Sequence, residues 1–293
     1  MLKCSQTGFY DLNVSEFCFS SPYRDLTIEN LVNLGFRTIA VNQDVDVDAY
    51  STTESKKKKK KGEPREVVEC VPAPFNLDEL RNLAKNVTFL NRLTLIFSRQ
   101  DSLQRFLKCS NFKKYDLIAV IPTTMQALAF VCSNLEADIL SYDPQNKLNL
   151  KLNRKMYSQL IEKGFHFELT YAPAIQNSTK RKNLISLSHL YHTYGKSCNI
   201  IFSSGATSPN FIRGPYDIIS LGFLFGLSEL QSKNSVLYCP RKVTLNALGR
   251  RHGKALMIVE NIVTMDINDT IIVESDEEEN MDTGEPVQKK AKQ

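Results

Sequence analysis

Tryptophan is absent from this 293-residue chain, and histidine is nearly so, with four residues. The seven cysteines, Cys4, Cys18, Cys70, Cys109, Cys132, Cys198 and Cys239, stand singly with no Cys-x-x-Cys pair. That argues against a zinc cage and a disulfide framework, and for a reducing compartment. No run of about eighteen apolar residues occurs, so no membrane partner is expected. The first residues, Met-Leu-Lys-Cys-Ser-Gln-Thr-Gly, hold no apolar signal core, so secretion is not expected. A P-loop, a Gly-x-Ser-x-Gly elbow and a dinucleotide fingerprint are all missing. Of His166, His189, His192 and His252, only His189 and His192 lie one helical turn apart, and nothing else converges on them. No metal, cofactor or catalytic residue is expected.

What is present reads as an ordinary globular chain, 42% hydrophobic and 24% charged. The net charge of +5 understates the basic body, because the acidic block ending at Glu279 offsets it. A basic balance admits a nucleic-acid partner without requiring one.

Strand and helix signals alternate along the chain. Strands are expected at 9–14, 37–42, 92–98, 115–122, 138–141, 165–171 and 199–203, from β-branched and aromatic runs. Helices are expected at 26–34, 77–84, 102–109, 124–133, 155–163, 178–194 and 240–248, several closed by glycine. Another is expected from Pro215, which suits a first helical position, to Gly226, which suits a left-handed close. Its Ile218, Ile219, Leu221, Phe223, Leu224 and Phe225 leave little polar surface, so burial on most faces is expected. Two stretches break the alternation. Residues 43–74 carry Asp44, Asp46, Asp48, the run Lys56–Lys61 and several prolines, and read as a disordered insertion. The lysine run suits a nuclear import signal, an RNA contact or merely a solvated charge run. Residues 263–293, acidic then basic, read as a disordered tail. Within it, Ile271-Ile-Val-Glu-Ser-Asp-Glu-Glu-Glu279 resembles short hydrophobic-acidic motifs that bind the modifier SUMO.

Seven strands alternating with helices over about 250 residues suit a (β/α) barrel. An open doubly wound sheet is the alternative, because an eighth strand is not obvious. Four stretches bear on the choice: Arg92-Leu-Thr-Leu-Ile96, Tyr115-Asp-Leu-Ile-Ala-Val-Ile-Pro122, Phe167-Glu-Leu-Thr-Tyr-Ala-Pro-Ala-Ile175, and above all Ile212 to Glu229. They resemble corresponding segments of the p30-type protein subunit of nuclear ribonuclease P and its relative ribonuclease MRP, a likeness running from about Phe9 to Ile262. The resemblance implies an α/β, TIM-like barrel over 1–262. It also implies a non-catalytic scaffold for the ribonuclease P RNA and for MRP RNA, meeting precursor tRNA indirectly. A small RRM-like protein subunit is the implied protein partner, and the nucleus and nucleolus the implied location.

The expected RNA contacts lie on loops that follow strands, where barrels place their working residues. Lys180, Arg181 and Lys182 open a helix, where cations oppose the macrodipole at about 0.3–1 kcal/mol each. A local rule broken there suggests an anion held jointly by side chains and helix end. Arg213, just before the Gly-Pro turn, is placed to do the same. Arg250, Arg251 and Lys254 follow the last expected helix, where cations favour the dipole, so a structural role competes with RNA contact. The competing function is a metal-dependent phosphoesterase barrel. That needs a His-x-His in the first strand, which here reads Tyr10-Asp-Leu-Asn13.

Overall fold

The structure is a computed structural model in which residues 8–49, 69–145 and 152–253 are described. Seven strands form one sheet: β1 (Phe9–Ser15), β2 (Phe36–Asp46), β3 (Thr88–Phe97), β4 (Leu117–Pro122), β5 (Ile139–Leu140), β6 (His166–Thr170) and β7 (Ile200–Ser203). Each lies parallel to the next, in sequence order. The ends of the sheet then meet. Val14 and Ala206 form a parallel bridge, Ser15 N–H donates to the Ala206 carbonyl at 3.0 Å, and Gly205 N–H donates to the Asn13 carbonyl at 2.8 Å. Seven strands thus curl into a nearly closed barrel, and the open doubly wound alternative falls away.

Helices cover the outside: α1 (Arg24–Asn33), α2 (Asp78–Leu83), α3 (Gln100–Leu107), α4 (Met125–Ser133), α5 (Arg154–Glu162), α6 (Ala172–Gln176), α7 (Ser178–Gly195), α8 (Pro215–Leu224) and α9 (Glu229–Val236). The last, α10 (Tyr238–His252), instead packs on the start of the strands. Its Val243 and Ala247 join Tyr10, Leu12, Leu90, Leu117 and Ile201 in a separate apolar cluster that seals the barrel floor.

Strand geometry sorts the residues, because successive side chains point to opposite faces. On β3 the outward Phe89, Leu93, Leu95 and Phe97 join the main core, while Leu90, Arg92, Thr94 and Ile96 point inward. The same alternation on β2 aims Ala40, Asn42 and Asp44 inward. From floor to mouth, the interior therefore changes from hydrocarbon to a buried ion pair to polar side chains.

Three expectations need correction. The break expected at residue 43 falls inside β2, which runs to Asp46 in register with β3. Val45, Val47 and Val71 are buried in the core, and Tyr115 donates its hydroxyl to Gln43 at 2.7 Å, so both edges of the 43–74 segment are folded. Acidic residues disguised a strand whose outward valines alternate with them. The lysine run, the boundary at 262 and the tail with its Ile271–Glu279 motif lie outside the described residues. Second, α8 is not buried on most faces: Tyr216, Phe223 and Leu224 are 73%, 57% and 66% exposed. Only one side meets the protein, where Gly222 sits against Ser232 of α9 and Phe202 of β7. Third, α9 was not expected, and α10 exceeds the expected 240–248 at both ends.

Candidate functional site

The centre of the barrel is a salt bridge. Arg92 Nη1 and Nη2 donate to Glu168 Oε1 and Oε2 at 2.5 and 2.7 Å, a bidentate pair with neither side chain exposed. Arg92 also donates to the Leu12 carbonyl at 2.8 Å and to Thr94 Oγ1 at 3.2 Å, and Thr94 donates onward to Asn42 at 2.7 Å. Ser203 donates to Glu168 at 2.5 Å, and Asn13 Nδ2 donates to it at 3.4 Å. Burial alone would push the Glu168 carboxyl up, but the Arg92 charge and the hydrogen bonds from Arg92, Ser141 and Ser203 hold it below the ordinary range. Five strands, β1, β2, β3, β6 and β7, are thereby tied across the axis.

Next to this pair sits Asp11, 1% exposed and pushed up to about 6 by burial, against hydrogen bonds from the Ser204 and Asn13 N–H groups. Its Oδ2 has no hydrogen-bond partner. Above the pair a cleft of about 240 Å³ opens at the C-terminal ends of the strands, where barrels carry their sites. Asn13, Asn42, Asp44, Arg92, Thr94 and Thr170 line it, among others. Asp44 is reached by solvent through the cleft yet ringed by protein, so its carboxyl is desolvated and held above the ordinary range.

These residues do not make a metal centre. The first strand presents Asp11 and Asn13, and Asn13 turns its amide to Glu168. Among the described residues no three His, Cys, Asp or Glu side chains come together as a cage would need. Of the two histidines one turn apart, His192 faces Ser197 at 3.2 Å and His189 lies beside Gly226.

The residues expected to hold RNA separate into three groups. Lys180 and Lys182 form no hydrogen bond or ion pair through their side chains among the described residues, and Lys182 is exposed. The start of α7 is already capped, because Asn177 Oδ1 accepts from Thr179 and Lys180 N–H at 2.7 and 3.3 Å. An anion there would meet side chains more than helix amides, which narrows the joint contact expected from sequence. Arg181 and Arg213 are engaged locally. Arg181 Nε donates to the Ala174 carbonyl at 2.7 Å, closing the C-terminal end of α6, and Arg213 Nη1 donates to the Asn210 and Ile212 carbonyls at 2.9 and 3.1 Å. Both flank the segment after β6, since Tyr171 accepts from the Arg213 backbone N–H at 3.1 Å.

Arg250 and Arg251 belong to the opposite end. Arg250 pairs with Asp138 at 2.8 Å and Arg251 with Asp116, carboxylates at the starts of β5 and β4. They fasten α10 to the barrel floor, each engaged by an acidic side chain over 110 residues earlier. Lys254 lies outside the described residues. Sequence reasoning missed Arg92, Glu168, Asp11 and Asp44; only the strand periodicity, which turns a charged Arg92 inward, hinted at them.

Comparison with known proteins agrees on one group. The family described as RNase P subunit p30 matches residues 8–252. The chain is 32% identical over 245 residues to the ribonuclease P protein subunit p30 of Mus musculus, covering 83% of this chain and 87% of that one. It is 26% identical over 165 residues to the ribonuclease P/MRP protein subunit RPP1 of Saccharomyces cerevisiae, covering 56% and 55%. Among solved structures, a chain of an archaeal ribonuclease P with mature tRNA shares the fold, with a TM-score of 0.60 at 13% identity, covering 88% of this chain and 99% of that one.

Proposed function

The chain belongs to the RNase P subunit p30 family, and from that premise we propose that it is a non-catalytic, RNA-binding scaffold of ribonuclease P and of ribonuclease MRP. The RNA performs the cleavage that matures the 5′ end of precursor tRNA. This chain braces that RNA and meets the tRNA only indirectly. A small RRM-like protein subunit is its protein partner, and the nucleus and nucleolus its location. The observation that carries the reading is Lys180 and Lys182, two cations kept at a helix N-terminus where the dipole disfavours them, with no carboxylate among the described residues to answer them. Phosphate is the counter-charge that suits such a place, and phosphate contacts supply position and affinity without sequence preference. Arg181 acts one step back, closing the end of α6 just before the lysines, and Arg213 holds the neighbouring loop before α8. Against the phosphoesterase alternative stands the barrel axis, where a guanidinium pairs with Glu168 and the first strand offers Asn13 in place of a histidine.

The test uses the ribonuclease P RNA and two double variants. Lys180→Ala/Lys182→Ala should weaken binding equally across RNA sequences and flatten the log-affinity against log-salt slope by about 0.7–0.9 per lost contact. Its melting temperature should stay level or rise slightly. Arg181→Ala/Arg213→Ala should chiefly lower the melting temperature. An unchanged salt slope in the lysine variant refutes the assignment of the RNA face.

A further inference from the structure

The barrel mouth leaves one electrostatic demand unmet. Beneath it the Arg92 charge is cancelled by Glu168 at 2.5 Å. Asp44, beside that pair, accepts from Asn42 Nδ2 at 2.8 Å, and no Lys, Arg or His side chain forms an ion pair with it among the described residues. Across the barrel, on β6, Thr170 is only 7% exposed and lines the same cleft, and its hydroxyl has no hydrogen-bond partner. The buried hydroxyl without a partner is a costly state, and the Asp44 carboxylate faces the cleft with no cation on it. Both border one space of about 240 Å³.

The chemistry of that space selects its occupant. An anion meets the Asp44 charge and finds Arg92 already engaged in both directions. A bare divalent ion needs several anionic or imidazole donors, and no group of three such side chains forms among the described residues. A neutral group leaves Asp44 unanswered. A monovalent cation bearing several N–H donors answers both demands, while Ile96 and Ile121 in the same wall suit its carbon stem. We infer that the mouth of the barrel is a binding site for an alkylguanidinium or alkylammonium group, its charge set on Asp44 and its further N–H donors shared with Thr170. Such a group reaches the cleft either as a free diamine or as the Arg or Lys side chain of a partner protein. The site is distinct from Lys180 and Lys182 and does not depend on RNA binding.

Calorimetric titration of the full chain with agmatine and with putrescine, against magnesium chloride and sodium phosphate at matched ionic strength, tests this. Both amines should saturate a single site, and phosphate should not bind. Asp44→Asn should weaken agmatine by about tenfold or more, the scale of one charge-assisted contact. Thr170→Val should weaken it less, and Lys182→Ala should leave it unchanged. Should Asp44→Asn fail to fold, a crystal structure of the wild-type agmatine complex decides, with the guanidinium expected on Asp44. Repeating the titration on the reconstituted ribonucleoprotein separates the two sources. A cleft still open to agmatine there takes a free diamine, and a cleft now closed holds a partner's side chain. Absence of saturable amine binding overturns the inference, as does agmatine binding that survives Asp44→Asn or that magnesium displaces competitively.

Discussion

Removing one half of the Arg92–Glu168 pair should cost far more than removing both. Glu168→Gln keeps the size and one acceptor but deletes the charge that answers a guanidinium with no solvent exposure. Breaking a buried pair on one side typically costs about 3–5 kcal/mol, because the surviving charge stays desolvated. For a barrel of this size each kcal/mol shifts the melting temperature by roughly 2–4 °C, so a drop of about 10 °C is expected. Arg92→Met should be comparably severe at neutral pH. Its penalty should shrink on acidification, because Glu168, deprived of Arg92, is pushed up by burial and takes a proton inside the folded barrel. A carboxyl raised in the folded state contributes stability below its unfolded value and loses it as the pH rises through the folded one. The double replacement Arg92→Met/Glu168→Met leaves no charge behind and should recover most of the loss, although Thr94, Ser203 and Asn13 then lose a partner. Urea unfolding of the four proteins at pH 7 and pH 5 measures the coupling. If Glu168→Gln costs under about 1 kcal/mol, or the two single losses simply add in the double variant, the pair does not organise the barrel as described.

Three further outcomes follow from the geometry. His166, fully buried and pushed down to about 4 by burial and then Lys242, stays neutral in the fold while its unfolded form protonates near 6.5, so it subtracts stability as pH falls from 6.5 towards 4. Asp11, pushed up to about 6 from 3.8, takes a proton in the fold before it does unfolded and adds stability as pH falls from 6 towards 3.8. The two oppose over nearly the same window, each on the order of 3 kcal/mol. Asp11→Asn should therefore make stability fall more steeply between pH 6 and 4, and a slope parallel to the wild type in urea titrations refutes that. Gly195→Ala should destabilise by about 1–3 kcal/mol, since a Cβ there runs into the Tyr157 ring, held by its hydroxyl on the Cys198 carbonyl at 2.7 Å and by stacking on Phe167 at 4.0 Å. Thermal melts showing no loss would mean that Tyr157 has room to move. Phe223→Ser and Leu224→Ser should each change stability by under about 0.5 kcal/mol, and a loss of several would show that the α8 face is covered after all.

The outer architecture was legible and the inner chemistry was not. Alternation and glycine stops located all seven strands, because outward residues such as Phe89 and Leu93 face helices and follow a simple pattern. Arg92 looked like one charged residue in an apolar strand, since Glu168 lies 76 positions away and no local signal joins them. The α8 stretch misled because apolarity all round usually means burial, and here Phe223 and Leu224 face outward. By contrast α9 was there to be read. Its apolar periodicity is poor, but Ser228 and Gln231 form a capping box, the spacing that announces a helix start. Lys180 and Lys182 were legible as an exception to the dipole rule, and Arg250 as a cation that obeys it, but its partner Asp138, 112 positions away, was not.

The position of α10 sets when this barrel can exist during synthesis. Closure joins Val14 to Ala206, and among the described residues the floor is sealed by Val243 and Ala247 of α10, with Cys239 packed beside them. At about 5–20 residues per second, the first strand waits roughly ten seconds or more for its closing neighbour. Through that interval Tyr10, Leu12 and Leu90 have no lid, and the edge of β1 has no neighbour on one side. A chain stopped before residue 238 would carry every strand and still expose the apolar floor. Premature termination late in the message should therefore yield an aggregation-prone protein rather than a shortened working one.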